Sequence, residues 1–193
     1  MSSREKILQA VKQNKPAVLP LPTVGPFVTQ TEGLLDTYRE TLTAIGGGCY
    51  IVDNLDTVKD FATRQKQQGL LVINGVAEIE AYNINDYKNY SAQQLENLNT
   101  VIIRGKLAVA ENGSVWVTES NMVNRVLPFI AEHLIIIVDK ANIVANMHEA
   151  YKLITIDEEG YGVFIAGPSK TADIEQSLVV GAHGPLSLQV YVV

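Results

Sequence analysis

Apolar positions change period along this chain, and each change marks an element. Over residues 3–13, Ile7, Leu8 and Val11 form a helical stripe, and Ser2 and Glu5 stand at capping-box spacing. That pattern predicts a short amphipathic helix. Such a helix usually packs on its own domain; its alternative use is to dock a partner subunit. Pro16, Pro20, Pro22 and Pro26 then preclude regular helix and predict an extended arm. The expected division is a helix and arm over 1–28 and one α/β domain over 29–193. Between Gln30 and Ile45, the residues Leu34, Leu35, Tyr38, Leu42 and Ile45 recur at helical spacing, and Gly46-Gly47-Gly48 stops the helix. A phosphate-cradling turn follows a strand, so a triple glycine that follows a helix reads as its C-cap. Strands at 49–52 and 70–73 bracket a helix at 55–68 capped by Asp53 or Asn54. The alternation predicts a parallel sheet.

Residues 75–99 carry Tyr82, Tyr87 and Tyr90 without a clean period, and read as irregular with a short helix near 92–98. Thr100 to Arg104 reads as a strand. Asn112-Gly113 between two apolar runs predicts a hairpin over 107–118. Val123, Val126, Leu127 and Ile130 predict a helix over 121–131, with Pro128 to shorten or kink it. Leu134 to Val138 is an unbroken branched run suited to a sheet centre covered on both faces. Asp139 is expected to cap a helix running to Ile154, and residues 157–160 read as a solvated turn. Val163 to Ala166 reads as a strand ended by Gly167-Pro168. Ser169 or Thr171 would cap a helix holding Asp173 and Glu175 in its first turn and ending near Gly181. Leu186 to Val193 completes a crossover, whose loop after the first strand is where such sheets bind ligands. The fold class expected is α/β, an open, mainly parallel sheet flanked by helices.

Composition narrows the partners. With 193 residues and 47% hydrophobic content the chain can bury a full core. A net charge of −6 argues against nucleic acid or an anionic membrane surface. One cysteine, Cys49, makes neither an intrachain disulfide nor an iron–sulfur site within one chain. The charged amino terminus lacks the apolar core of a signal peptide, and 134–138 is too short to span a bilayer, so no transmembrane segment and a cytoplasmic location are expected.

For chemistry, His133, His148 and His183 show no zinc spacing. The loop Gly167-Pro168-Ser169-Lys170-Thr171 offers backbone N–H groups, two hydroxyls and an ammonium to a carboxylate or phosphate. His183, between Gly181-Ala182 and Gly184-Pro185, is placed to act as a base or ligand donor. The bland alternative is that the glycines and prolines only shape turns and the acids only cap a helix. No dinucleotide, Walker or Gly-x-Ser-x-Gly motif is present.

The string GPSKTADIEQSLVVGAHGP resembles the C-terminal signature of the LUD-domain family, in which GPS(R/K)TADIE precedes G(V/A)HGP. Ala108-Val109-Ala110-Glu111-Asn112-Gly113-Ser114 is similar to the family's A-x-A-E-T-G-(T/S) segment, with Asn112 at the usual Thr. Arg125-Val126-Leu127-Pro128 resembles an arginine and Leu-Pro element of the family. The resemblance is strong over 100–193 and follows only the order of elements before that. It implies a fold similar to the NagB/RpiA/CoA-transferase class, and a role in oxidising L-lactate to pyruvate beside two partner proteins that carry iron–sulfur clusters. With one cysteine here, the clusters would sit on those partners, and no cofactor is expected on this chain. The resemblance points to Glu111, Asp173 and His183 as catalytic groups. Ser114, Arg125, Gly167, Ser169, Lys170, Thr171, Glu175 and Gly184 would bind a small carboxylate or acyl ligand. Two readings stay open beside it: a non-catalytic assembly subunit that docks the iron–sulfur partners, and a stand-alone enzyme of the same fold acting on a sugar phosphate or CoA ester.

Overall fold

The computed structural model describes residues 2–20, 22, 32–80, 90–155, 160–174 and 177–193. In chain order these form helices α1 (Ser3–Gln13) and α2 (Leu34–Ala44), strand β1 (Gly48–Ile51), helix α3 (Asp56–Gln67) and strand β2 (Leu71–Asn74). Helix α4 (Ala92–Leu95) and strands β3 (Leu98–Arg104), β4 (Leu107–Val109) and β5 (Ser114–Thr118) follow. Next come helices α5 (Glu119–Met122) and α6 (Leu127–Ile130), strands β6 (His133–Val138) and β7 (Ile143–Val144), and helix α7 (Met147–Leu153). Strands β8 (Gly162–Ile165), β9 (Lys170–Ile174), β10 (Ser177–Val180) and β11 (Ser187–Val192) complete the described order.

The centre is a five-stranded sheet, ordered β1-β11-β6-β3-β2, with every pairing parallel. Leu134 to Val138 of β6 are all buried, as an unbroken branched run in mid-sheet requires. On one face, Val58 and Ala62 of α3 pack on Val72, Ile102, Ile135 and Ile137. The other face is covered by Tyr38 and Leu42 of α2 and by a second sheet, ordered β7-β4-β5-β8. Gly105 sits where the two sheets meet: a Cβ there would lie 2.2 Å from Val115 and 2.9 Å from Val138. Trp116 and Phe164, ring centres 4.7 Å apart, and Ala150 of α7 make a small core on the second sheet's outer side.

The alternating pattern, the hairpin at Asn112-Gly113 and the glycine stop after α2 agree with expectation. Gly46 has φ +90° and leads directly into β1. Four expectations are corrected. The strand at 163–166 is β8, which pairs antiparallel with β5 in the second sheet and takes no part in the parallel one. The expected helix after it is the antiparallel pair β9–β10, with Val179 opposite Thr171 and Ser177 opposite Ile174. The β-branched Thr171, Ile174, Val179 and Val180 outweigh the acidic first turn that suggested a helix. So neither Ser169 nor Thr171 caps a helix, and Asp173 lies in β9; Glu175 lies outside the described residues, as does the turn at 157–159. The helix expected from Asp139 to Ile154 is a 3-10 turn, strand β7 and the shorter α7, because Asn146, not Asp139, is the helix cap. The helix expected at 121–131 splits into α5 and α6 around a γ-turn at Val123 (φ 65°), closed by Asn124 N–H donating to the Met122 carbonyl at 2.7 Å; Pro128 stands in the first turn of α6.

Helix α1 forms as expected. Glu5 N–H donates to Ser2 Oγ, and Ser2 N–H donates to the Glu5 carboxylate. It does not pack on its own domain: none of its residues is buried.

Candidate functional site

The two halves of the C-terminal signature meet. Ser169 N–H donates to the Pro185 carbonyl at 2.9 Å, and Gly181 N–H donates to the Ser169 carbonyl at 3.0 Å. A Cβ on Gly184 would lie 3.0 Å from the Ser169 side chain, so glycine permits this approach. Gly167, at φ +69°, stands against Ile45, whose carbonyl oxygen would be 2.9 Å from any Cβ there. The Lys170 ammonium donates to that same carbonyl. The signature loop is thus clasped to the turn that ends α2.

The hairpin turn reaches the same place from the other side. A Cβ on Gly113 would lie 3.0 Å from the Leu42 backbone and 3.2 Å from Ile45. Within the turn, buried Ser114 donates both its N–H (3.0 Å) and its hydroxyl (2.7 Å) to the Asn112 side-chain oxygen. Here Asn112 closes its own turn, which explains why it can replace the usual Thr. The Glu111 carboxylate accepts the Met147 N–H at 2.9 Å, beside Asn146, whose side chain accepts the Glu149 N–H at 3.0 Å. These two side chains satisfy amides that the first turn of α7 leaves open.

Gly167, Ser169, Lys170 and Gly184 are therefore neighbours, with Thr171 next along β9 and 111–114 across Ile45. Arg125 is not part of this group. It lies beyond the opposite end of β5 and β8, 2.6 Å from Glu119 and with its guanidinium 5.0 Å from the Tyr161 ring centre. The bond to Glu119 raises the Arg125 pKa. His183 is exposed on the turn between β10 and β11. His148 is exposed, while His133 Nδ1 shares a 2.8 Å hydrogen bond with Ser187 Oγ. Among the described residues no group of acids, histidines and cysteines is placed to hold a metal ion.

The cluster's position overturns the expected ligand crevice. Leu186 N–H donates to the Glu132 carbonyl at 2.8 Å, and β11 and β6 begin one residue later, at Ser187 and His133. The signature therefore lies at the amino ends of the parallel strands. Open α/β sheets bind ligands at the carboxyl ends. There Arg104, at the end of β3, bonds Glu78 at 2.7 Å and Asp139 at 2.8 Å, a group that sequence reading passed over because its members are far apart in the chain. A cleft of about 360 Å³ near that edge is lined by Lys106, Trp116, Thr118, Asn142 and Thr155 among others, and contains none of the expected site residues.

Sequence reading also missed what surrounds the signature. Phe129 and Ile130 of α6, Val180 and Leu186 are 38%, 41%, 43% and 50% exposed. Phe129 carbonyl lies 3.7 Å from a Cβ built on Gly184, which sets α6 beside the signature turn, and the Leu186 side chain packs against Gly181. The period that marked Ile130 as helix core was the available signal, and it misled because α6 is only one turn long.

This architecture, an open parallel sheet with a second small sheet laid on one face, places the chain among α/β proteins. A crystal structure of a DUF162 family protein from Deinococcus radiodurans shares the fold, with a TM-score of 0.61 at 16% identity, covering 82% of this chain and 95% of that one. The LUD domain model matches residues 35–193, and the chain belongs to that family. It is similar to lactate utilization protein C of Geobacillus thermodenitrificans, 30% identical over 173 residues, covering 86% of this chain and 70% of the relative. It is likewise similar to lactate utilization protein C of Bacillus subtilis, 29% identical over 170 residues, covering 82% and 68%. Among the described residues no helix is long and apolar enough to cross a membrane.

Proposed function

We propose that this chain is a subunit of an L-lactate utilisation system that oxidises lactate to pyruvate, and that its part there is assembly. The signature face would dock the partner subunits that carry iron–sulfur clusters. Kinship with proteins named lactate utilization protein C supports the first half. One observation carries the second. Four candidate groups of the signature loop and the hairpin are spent inside the chain: Ser169 N–H on Pro185, the Lys170 ammonium on Ile45, the Ser114 hydroxyl on Asn112 and the Glu111 carboxylate on Met147. An anion cradle needs N–H, hydroxyl and ammonium donors such as the first three aimed outward. Outward-facing groups here are His183 on the signature turn, Leu186 against Gly181, and Phe129 and Ile130 of α6, whose Phe129 carbonyl stands beside Gly184; exposed apolar side chains of this kind mark protein contacts.

The test is co-purification of the full chain with the iron–sulfur subunits of its own system. Phe129→Glu and Leu186→Glu should each abolish association while leaving the melting temperature within a few degrees. Parallel thermal-shift measurements use lactate, pyruvate, a sugar phosphate and a CoA ester, because a ligand stabilises the state it binds. A shift with lactate or pyruvate that Lys170→Ala removes would return the chain to the carboxylate-binding role and sink the assembly reading. A shift only with the phosphate or CoA ester would instead make it a stand-alone enzyme.

A further inference from the structure

Helix α1 is formed, capped and uncovered. Ile7, Leu8 and Val11 are 63%, 53% and 55% exposed along one stripe, and every residue of 2–20 is exposed. An isolated helix of this length is marginal in water, even with a capping box, because most helix stability comes from packing an apolar face. Its stripe therefore needs a surface that its own domain does not supply. Residues 14–33 separate α1 from α2, and at full extension they reach at most about 70 Å, enough to cross to a neighbouring molecule.

A surface with matching apolar and charged groups is present on the same protein. Among the described residues strand β1 is an edge of the parallel sheet, paired on one side, with β11. Its Tyr50 and Ile51 are 45% and 47% exposed, and Tyr50 stacks on Tyr191 at 5.0 Å between ring centres. An open edge with apolar side chains is a liability that proteins commonly cover with a helix. Just past this edge stand the exposed acids Asp53 and Asp56. Charge divides the same way. Residues 1–15 hold Arg4, Lys6, Lys12 and Lys15 against Glu5, a net +3, within a chain whose total is −6, so the remainder is −9. Lys12 adjoins Val11 and lies one turn from Leu8, so basic groups flank the apolar stripe.

We propose that α1 of one copy covers the β1 edge of a second copy, and that the second copy returns the contact, giving a two-fold dimer. Ile7, Leu8 and Val11 lie along the rim of β1, straddling Tyr50 on one face of the sheet and Ile51 on the other, and the basic flank faces Asp53 and Asp56. This contact is separate from the signature face, so the two proposals fail independently.

Light scattering behind size-exclusion chromatography, on the full chain over a range of concentrations, tests it. The wild type should be dimeric. Leu8→Glu and Ile51→Lys should each raise the dimer Kd by roughly tenfold or more, the loss expected for a central apolar contact. Lys12→Glu and Asp56→Lys should each weaken the dimer, and the two together should recover it in part. Circular dichroism and melting temperature confirm that each variant folds. A dimer indifferent to Leu8→Glu overturns the proposal. So does a monomer at every concentration, whether Leu8→Glu lowers its melting temperature, which would put α1 on its own body, or α1 engages only when an iron–sulfur subunit is added.

Discussion

Tyr38 has no solvent exposure, and among the described residues its hydroxyl has no hydrogen-bond partner. An unsatisfied buried donor costs about 1–3 kcal/mol. Tyr38→Phe should therefore hold or raise stability, by about 1 kcal/mol in urea unfolding. Burial, with the nearby Cys49 thiolate adding to it, lifts the phenol well above its ordinary pKa. The folded chain keeps a proton that the unfolded chain loses above about pH 10, the unperturbed tyrosine value, so stability should fall as pH rises through that point. In Tyr38→Phe the alkaline fall should be shallower; an unchanged profile would mean the phenol is not the group responsible. Burial likewise raises the Cys49 thiol, against a smaller lowering by Arg39, so a thiol reagent at mildly alkaline pH should label unfolded chains faster than native ones. Gly167 is the residue on which the signature clasp depends. Gly167→Ala would need a left-handed backbone and a 2.9 Å approach to the Ile45 carbonyl, and should cost about 1–3 kcal/mol. If the clasp is what orients the signature face, the same variant should also weaken association with the iron–sulfur subunits.

Hairpin β4–β5 joins three elements: its turn lies on α2, its Glu111 caps α7, and its Val115 fills the space over Gly105. Asn146→Ala should cost about 1 kcal/mol, the usual loss of an N-cap. Gly105→Ala should cost about 1–3 kcal/mol, because the added methyl must displace Val115 or Val138. Melting curves would rank the two, and a neutral Gly105→Ala would show that the sheets part more easily than their packing implies. The hairpin was legible because Asn112-Gly113 carries its own conformational preference and needs no tertiary partner. The glycine stop after α2 was legible for the same reason, and β6 because five branched apolar residues in a row suit a strand covered on both faces. Strands β9 and β10 were not. Asp173 and Glu175 just after Ser169 and Thr171 imitate a helix start, and the competing preference of Val179 and Val180 is expressed only once the strands pair across the turn. Nor could the sequence show that the signature lies at the amino ends of the strands. That depends on β8 joining the second sheet, which leaves the loop after it on the opposite side from the crossover's usual crevice.

Gly48 pairs with Gln189, and β11 also bridges β1 to β6 through Leu188 and Leu134. The order of the sheet thus sets a schedule for the ribosome. At 5–20 residues per second, β1 waits on the order of ten seconds for its neighbour to be made. For the last few seconds of that interval, once β6 has been made, it has an open edge whose side chains are the most apolar run in the protein. Nascent chains should therefore be clients of a holding chaperone until the segment 187–192 emerges. Ribosome-bound chains stalled at Pro185 should bind such a chaperone, and those extended through Val193 and released should not. A messenger cut short by a few codons would yield an aggregate, not a slightly weakened protein.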